Sequence, residues 1–449
     1  MSSSLSGKYR DKLKRRNIIL LLALGAAIYF IVTKTGISLI ESSFTKLGNS
    51  KDIFHKLKDD ININEVINLN NNGIANSYGR NVKIETLISD TPDDGSDYHP
   101  RVLSGIEIKY PELNSNPLSP KHDGGSYPVY RSLLDVLKDW NPDQADPPSE
   151  FTETLMHFDY SNVTEREWAL NYRNEELPFK VYNVPEFEQV SEKWTTKYLK
   201  SKLLGSRTTA EKSKNNHFMF WHSGKPKSVK DYKPPTERIK LSFTDWLEKA
   251  KEADRQKLGN SSVHYYFMFG TGKTSKGTTF LDRDIASFSS DKENFFVFRP
   301  ELNKGIQCRF GMRGVIAESH YDGGRNMVAM IRGTKRYILS PPEACKDLGI
   351  IDDVKHPSFR HSVLDWSDMK QAEAHNFAKV NAIDTIVREG EVLYIPSYWF
   401  HYIISLEYSI QCNSRSGSPS RKDKGIEAIN ECLHLDKQKS KKRRKKSRD

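Results

Sequence analysis

A series of short apolar segments between Gly311 and Cys412 restricts the fold of this chain more than any other feature of its sequence. The segments read, in chain order, VIAES, NMVAMIR, KRYIL, TIVRE, EVLYIP, HYIIS and YSIQC. Each is rich in β-branched or aromatic side chains, and Gly, Pro or Asp residues stand between most of them. Such a series predicts an antiparallel sandwich or barrel of short strands.

Other strand-like and helix-like segments precede this series. Hydrophobic residues recur at helical spacing over 185–204, which predicts one helix or two shorter ones, and the stretch 242–251 predicts another. We therefore expect one mainly β domain with flanking helices over 151–416. Three further stretches alternate in the manner of half-buried strands: 178–184, 264–270 and 294–300.

The start of the chain predicts a membrane anchor. Residues 18–32 read IILLLALGAAIYFIV, and their neighbours extend this apolar run to the length of about 20 residues that a bilayer requires. Residues 1–16 carry six basic side chains against one acidic, so the positive-inside rule assigns them to the cytosol. We expect a transmembrane signal anchor over 17–40 in a single-pass type II protein of the ER or Golgi, with its main domain lumenal. A cleaved signal peptide is the alternative.

The basic character of the chain lies at its two ends. The net charge is +11, but residues 1–16 and 437–449 together account for more than this, so the body between them is slightly acidic. We therefore predict no specific nucleic-acid binding by the body. Residues 41–150 are polar and rich in Asn and turn-forming residues, which predicts a mostly irregular stem with one short helix over 130–139. The C-terminal segment 417–449 ends in a polybasic tail, which is a nuclear-localisation signal, an anion-binding tail or a solvated end, and the sequence leaves all three interpretations open.

The chain contains four cysteines, at positions 308, 345, 412 and 432. None forms a CxxC pair, so a zinc site is not indicated. They are either single thiols or members of up to two disulfides in an oxidising lumen, and the sequence leaves both interpretations open.

A candidate metal site lies in the stretch ESHYD and in a distant histidine. His320 and Asp322 are two residues apart at a predicted strand end, where alternate side chains point the same way. His401 follows 79 residues after Asp322, in a later predicted strand. Two imidazoles and one carboxylate on one face of a metal suit Fe(II), and they leave positions open for a 2-oxo acid and dioxygen.

The sequence around these residues resembles a known family. HYDGGRNMVAMIRGTKRYILSPP and GEVLYIPSYWFHYIIS are similar to motifs of the JmjC/cupin-like oxygenases, in the branch that contains an asparaginyl hydroxylase. The resemblance is strongest over about 290–416. It implies a double-stranded β-helix, or jelly roll. The transmembrane helix predicted from the apolar run near the start of the chain precedes this domain.

The resemblance also implies roles for individual residues. His320, Asp322 and His401 match the iron ligands, and Lys335 matches the lysine that pairs with the distal carboxylate of 2-oxoglutarate. Ala317 stands where the family often has a Thr or Ser that contacts this cosubstrate, and the assisting upstream tyrosine is not identified. Three other positions match residues near the cosubstrate: the polar Asn326 and Asn413, and the apolar Ile403.

By this resemblance the chain is an Fe(II)- and 2-oxoglutarate-dependent dioxygenase that uses molecular oxygen on a protein substrate, as a hydroxylase or a demethylase. The alternative, which Ala317 favours, is a non-catalytic cupin-like domain that binds metal or acts as a scaffold on its membrane anchor. Three histidines of the polar insertion 342–380 are expected to be surface residues: His356, His361 and His375.

Overall fold

The computed structural model describes residues 81–83, 106–110, 127–203, 207–224, 229–271, 279–417 and 424–433. The predicted anchor at 17–40, most of the predicted stem and the polybasic tail lie outside these residues. Within the described ranges, no helix is both long enough and apolar enough to cross a bilayer.

The described elements are mostly short strands, with helices on both sides of the sheets. In chain order they are β1 (Asn81–Lys83), β2 (Glu107–Lys109), β3 (Arg131–Ser132), α1 (Leu133–Asp139), β4 (Glu150–Thr152), β5 (His157–Asp159), α2 (Val163–Asn174), β6 (Phe179–Tyr182), α3 (Pro185–Lys193), α4 (Thr196–Lys202), β7 (Arg207–Ser213), β8 (His217–Phe218), β9 (Glu237–Ser242), α5 (Phe243–Gln256), β10 (His264–Gly270), α6 (Phe280–Asp284), β11 (Asn303–Gly311), β12 (Ile316–Tyr321), β13 (Asn326–Arg332), β14 (Lys335–Ser340), α7 (Met369–Ala374), β15 (Asn381–Val387), β16 (Val392–Ile395), β17 (Phe400–Ser405), β18 (Ser409–Ser416) and α8 (Lys424–Cys432).

Strands β11 to β18 form the centre of the fold and are divided between two sheets. The larger sheet has the order β5-β6-β16-β13-β18-β11-β10-β7-β9, and the smaller has the order β3-β15-β14-β17-β12-β8. Neighbours within the central eight strands are antiparallel. This is the topology of a jelly roll, and the prediction of a mainly β fold with flanking helices is confirmed.

The core explains why the central strands read as apolar runs. Tyr337 and Ile383 of the smaller sheet belong to one buried cluster with Val328 and Leu393 of the larger sheet. Separate apolar clusters cover the outer face of each sheet. Strands buried on both faces need apolar side chains at nearly every position, so they lose the alternation of a solvent-facing strand.

Helix α5 shows how a flanking helix is fixed to the larger sheet. The Ser242 side chain accepts a hydrogen bond from the backbone of Asp245 and caps the first turn. Trp246 is fully buried and contacts Phe267 and Phe310, which lie opposite each other on β10 and β11. The helix predicted at 242–251 is therefore confirmed, and the segment 185–204 forms the two shorter helices α3 and α4.

One predicted strand is wrong. The alternating stretch 294–300 is irregular and runs into a short 3-10 helix. The Asn294 side chain accepts hydrogen bonds from the backbone of Phe296 and Val297, which turns the chain. Phe295, Phe296 and Val297 are all buried, so the apolar pattern reflects burial in an aromatic cluster and not a pleated strand.

Parts of the stretch predicted to be a stem take part in this fold. Strand β3 pairs with β15 at the edge of the smaller sheet. Helix α1 follows directly, and its buried residues Leu133, Val136 and Leu137 join the apolar cluster outside that sheet.

All four cysteines are paired. Cys308 and Cys412 lie opposite each other on β11 and β18 and form one disulfide. Cys345, in a 3-10 turn after β14, forms the other with Cys432 of α8. The structure therefore favours the disulfide interpretation that the sequence left open.

Candidate metal centre

The jelly roll brings His320, Asp322 and His401 together at one end of the smaller sheet. His320 lies near the end of β12 and is the cross-strand partner of His401 on β17. Asp322 follows directly after β12. One potential ligand atom from each residue lies within 4.8 Å of the other two, and the two imidazole centroids are 4.2 Å apart.

Backbone carbonyls fix the orientation of both imidazoles. The Nδ1 atom of His320 lies 2.7 Å from the carbonyl oxygen of Glu318, and Nδ1 of His401 lies 3.1 Å from that of Trp399. An Nδ1–H that donates to a carbonyl leaves Nε2 with a free lone pair, as a metal ligand requires. Burial lowers the pKa of His401, and it lowers the pKa of His320 to about 3, so both rings are neutral.

Asp322 is held as a carboxylate beside a positive charge. Its Oδ2 atom lies 2.9 Å from Nε of Arg415 on β18. Burial alone would raise the pKa of Asp322, but the combined electrostatic effects of Arg415, the two histidines and Arg360 outweigh burial, and the pKa lies well below its usual range. Two neutral imidazoles and one ionised carboxylate therefore fit Fe(II) by the chemistry of the donor set.

A cavity of about 320 Å³ opens beside these three residues. Asn326 and Asn413, which the sequence assigns to this site, lie in its wall and hydrogen-bond to each other, with Nδ2 of Asn413 3.0 Å from Oδ1 of Asn326. Ile403 lines the same cavity, as does Ala317, which contributes no hydroxyl. The structure thus brings these predicted residues together around one space.

Lys335 lies at the start of β14 and is fully buried. Its Nζ atom is 3.4 Å from the hydroxyl of Tyr266, a residue that lines the cavity. Among the residues that the structure describes, no carboxylate lies within 4 Å of this ammonium group. Burial, followed by the charge of Arg309, lowers the pKa of Lys335 to about 7. A buried cation without a counter-ion beside a cavity is suited to an anionic ligand.

Several residues of the site are not identified from the sequence. Tyr266, the tyrosine next to Lys335, could have been found from the alternation of HYYFMFG, because Tyr266 and Met268 share the face that lines the cavity while Phe267 packs in the core. Arg309 and Arg415 also line the cavity. They come from β11 and β18, whose adjacency is set by the topology and not by any local pattern.

The prediction that His361 is a surface residue is wrong. The insertion folds back over β12, and His361 forms an isolated bridge with His320. The two imidazoles stack with centroids 4.9 Å apart and planes at 17°, and His361 is only 5% exposed. His375 is exposed, as predicted.

A partly buried network supports the strand that carries His320. His217, on the neighbouring strand β8, lies between two carboxylates, with Nδ1 2.5 Å from Glu318 and Nε2 3.4 Å from Asp143. Burial would lower the pKa of His217, but hydrogen bonds to Asp143 and Glu318 raise it to about 10. This ion-pair network fixes Glu318, whose carbonyl orients the ring of His320.

Several known proteins are similar in sequence to parts of this chain. The tRNA wybutosine-synthesizing protein 5 of Danio rerio is 25% identical over 38% of this chain and 52% of its own length. The bifunctional arginine demethylase and lysyl-hydroxylase psr-1 of Caenorhabditis elegans is 22% identical over 59% of this chain and 61% of its own. The lysine-specific demethylase JMJ30 of Arabidopsis thaliana is 31% identical over 26% of each. The chain spans about half the length of the first curated relatives it matches.

The family model of the cupin-like domain matches residues 165–414, which is more than half of the chain. This range contains strands β11 to β17, nearly all of β18, and the three residues of the candidate metal centre. The chain therefore belongs to the cupin-like (JmjC) domain family.

Proposed function

We propose that this protein is an Fe(II)- and 2-oxoglutarate-dependent oxygenase that hydroxylates a protein side chain, either as the final product or as a step in demethylation. The observation that carries the proposal is the convergence of His320, Asp322 and His401 within 4.8 Å at a cavity flanked by the buried ammonium group of Lys335. Relatives named as demethylases and as a lysyl-hydroxylase support the same class of reaction.

In this proposal the chain supplies binding and orientation. His320, Asp322 and His401 would hold Fe(II) on one face, and Lys335 with the Tyr266 hydroxyl would bind the distal carboxylate of 2-oxoglutarate. Bound iron and cosubstrate supply the oxidation, in which a C–H group, dioxygen and 2-oxoglutarate give C–OH, succinate and carbon dioxide. Ile403 forms an apolar part of the wall of this space.

The proposal is tested on the full-length chain in detergent micelles. We expect anaerobic addition of Fe(II) and 2-oxoglutarate to give the visible charge-transfer absorption of a chelated 2-oxo acid, and admission of oxygen to give succinate. Failure to bind iron would contradict the proposal. Iron and 2-oxoglutarate binding without succinate, also in the presence of a secretory-protein lysate, would favour the non-catalytic cupin-like domain, to which Ala317 in the cavity wall points.

The affinity for 2-oxoglutarate should depend on pH through Lys335. The pKa of this amine is about 7 in the free protein, and a bound carboxylate would raise it, so binding above pH 7 requires uptake of a proton. We expect a constant affinity below pH 7 and a loss of about tenfold per pH unit above it. Anaerobic titration of 2-oxoglutarate from about pH 6 to about pH 9 measures this slope.

The matched control for this prediction is Lys335→Met, which keeps the length of the side chain and removes its charge. We expect this variant to bind 2-oxoglutarate about 100-fold more weakly at pH 7 and to show no slope. A wild-type affinity that stays constant up to about pH 9 would show that Lys335 does not take up the proton.

We also propose that the protein is held by its N-terminal segment in the ER or Golgi membrane with the domain in the lumen. Pairing of all four cysteines supports an oxidising compartment. Two glycosylation motifs begin at Asn162 and Asn260, and the side chain of Asn260 is exposed. We expect endoglycosidase treatment to increase the electrophoretic mobility of the protein, and Asn260→Gln to reduce this shift. Digestion of the domain by a protease in intact microsomes would contradict a lumenal location.

A further inference from the structure

Two segments, which a backbone hydrogen bond connects, form the mouth of the cavity. One follows β8 and contributes Phe220 and His222, and the other is the insertion, which contributes Phe359 and Arg360. The backbone N–H of His222 donates to the carbonyl of Pro357 at 3.1 Å. Phe220 is 41% exposed, so part of its ring is accessible to a bound chain.

The side chains around this cavity carry an excess of positive charge. Bound Fe(II) and 2-oxoglutarate would have opposite and equal charges, so they would leave the excess unchanged. Four cations of the lining face two carboxylates: Lys304, Arg309, Arg360 and Arg415 against Glu211 and Asp322. Burial raises the pKa of Glu211, so the negative charge of this carboxylate is the weaker of the two.

Arg360 is one of the lining cations that have no carboxylate in direct contact in the part of the chain that the structure describes, although its charge helps from a distance to lower the pKa of Asp322. Arg415 lies against Asp322, whereas within the described ranges Arg360 has no carboxylate within 4 Å. Its guanidinium carbon lies 5.9 Å from the ring centroid of Tyr321 and 6.0 Å from that of Phe359, at the rim of the cavity. Its backbone has a φ of +80°, a conformation that non-glycine residues seldom adopt and that is concentrated at functional sites.

We propose that the substrate is an acidic peptide segment, with a substrate carboxylate paired to Arg360 at the mouth and apolar atoms against Phe220 and Phe359. This inference rests on the proposed oxygenase function and names its substrate class. A substrate lysine or arginine would meet an excess of like charge here, because the cations of the lining outnumber its carboxylates. A nucleic acid would need an extended basic face, whereas the body of the chain between its basic ends is slightly acidic.

Binding of defined probes to the full-length chain in micelles tests this inference. The probes are three pools of labelled peptides of about ten residues, which carry Asp/Glu, Lys/Arg or Asn/Gln at the same positions, and a single-stranded RNA of similar length. Binding is measured anaerobically with Mn(II) and 2-oxoglutarate present. We expect the acidic pool to bind at least about tenfold more tightly than the basic pool or the RNA.

Variants of Arg360 connect the selectivity to this residue. Arg360→Gly removes the charge and folds readily, since glycine adopts a positive φ without strain, and it should weaken binding of the acidic pool about tenfold. Arg360→Lys should retain most of the affinity. The matched control Arg255→Gln removes an exposed arginine on α5, away from the cavity lining, and should change nothing.

The outcomes separate the substrate class from the oxygenase itself. Equal or tighter binding of the basic pool or of the RNA, or an Arg360→Gly variant that binds like wild type, would overturn the acidic-peptide inference. Iron-dependent succinate formation, measured on the same preparation without peptide, reports on the oxygenase independently. Acidic selectivity that Arg360→Gly removes would support the inference, whatever the rate of succinate formation.

Discussion

Asp322→Asn should reduce iron-dependent succinate formation by about 1,000-fold or more. The substitution preserves the volume of the side chain but replaces an anionic ligand by a neutral amide, which donates more weakly to Fe(II). It also leaves the charge of Arg415 without its carboxylate partner, next to the metal position. A change of this size exceeds the 10- to 100-fold losses that are typical of residues outside the ligand set.

Thermal unfolding distinguishes loss of the ligand from loss of the fold. The ion pair between Asp322 and Arg415 is partly exposed, so we expect the metal-free variant to be within about 1 kcal/mol of wild type in free energy of unfolding. Mn(II) with 2-oxoglutarate should raise the Tm of wild type but not of Asp322→Asn. The control Asp347→Asn changes an exposed carboxylate outside the cavity lining and should retain both activity and the Tm shift. Undiminished succinate formation by Asp322→Asn would exclude this residue as a ligand.

Much of the fold could be predicted because its central strands are short and clearly separated. NMVAMIR matches β13 residue for residue, since Gly and Asp bound it and both of its faces are buried. The sequence misassigned 294–300 because a buried turn can carry the same apolar alternation as a strand, and only the contacts of Asn294 distinguish the two.

Site residues that belong to a short local motif could be predicted from the sequence. Site residues that come together because distant strands are neighbours in a sheet could not. His320 and Asp322 belong to one short motif, and the motif around His401 is equally local. Arg309 and Arg415 enter the cavity because β11 and β18 are neighbours in the larger sheet. His361 reaches His320 only because a long insertion folds back, and no periodicity in the sequence specifies that path.

The second large effect is expected at the disulfide between Cys308 and Cys412. Replacing both residues by Ala should lower the free energy of unfolding by about 4–5 kcal/mol, because the bond closes a long segment of the unfolded chain. The two cysteines are 104 residues apart, and the strands β12 to β17 with all three candidate iron ligands lie between them. Both side chains are fully buried, so the loss of packing adds to the effect. Denaturant unfolding at 25 °C measures it.

The other disulfide provides a matched comparison for this prediction. Cys345 and Cys432 are 87 residues apart, so the chain-entropy argument assigns their removal a similar cost in stability. Their local settings differ, because Arg309, Gln411 and Asn413 neighbour the first disulfide along β11 and β18 and line the cavity. We therefore expect the Ala pair at 308 and 412, but not the pair at 345 and 432, also to weaken 2-oxoglutarate binding. If neither pair lowered the free energy of unfolding by more than about 1 kcal/mol, these bonds would not stabilise the folded chain, and the support that they give to a lumenal location would be lost.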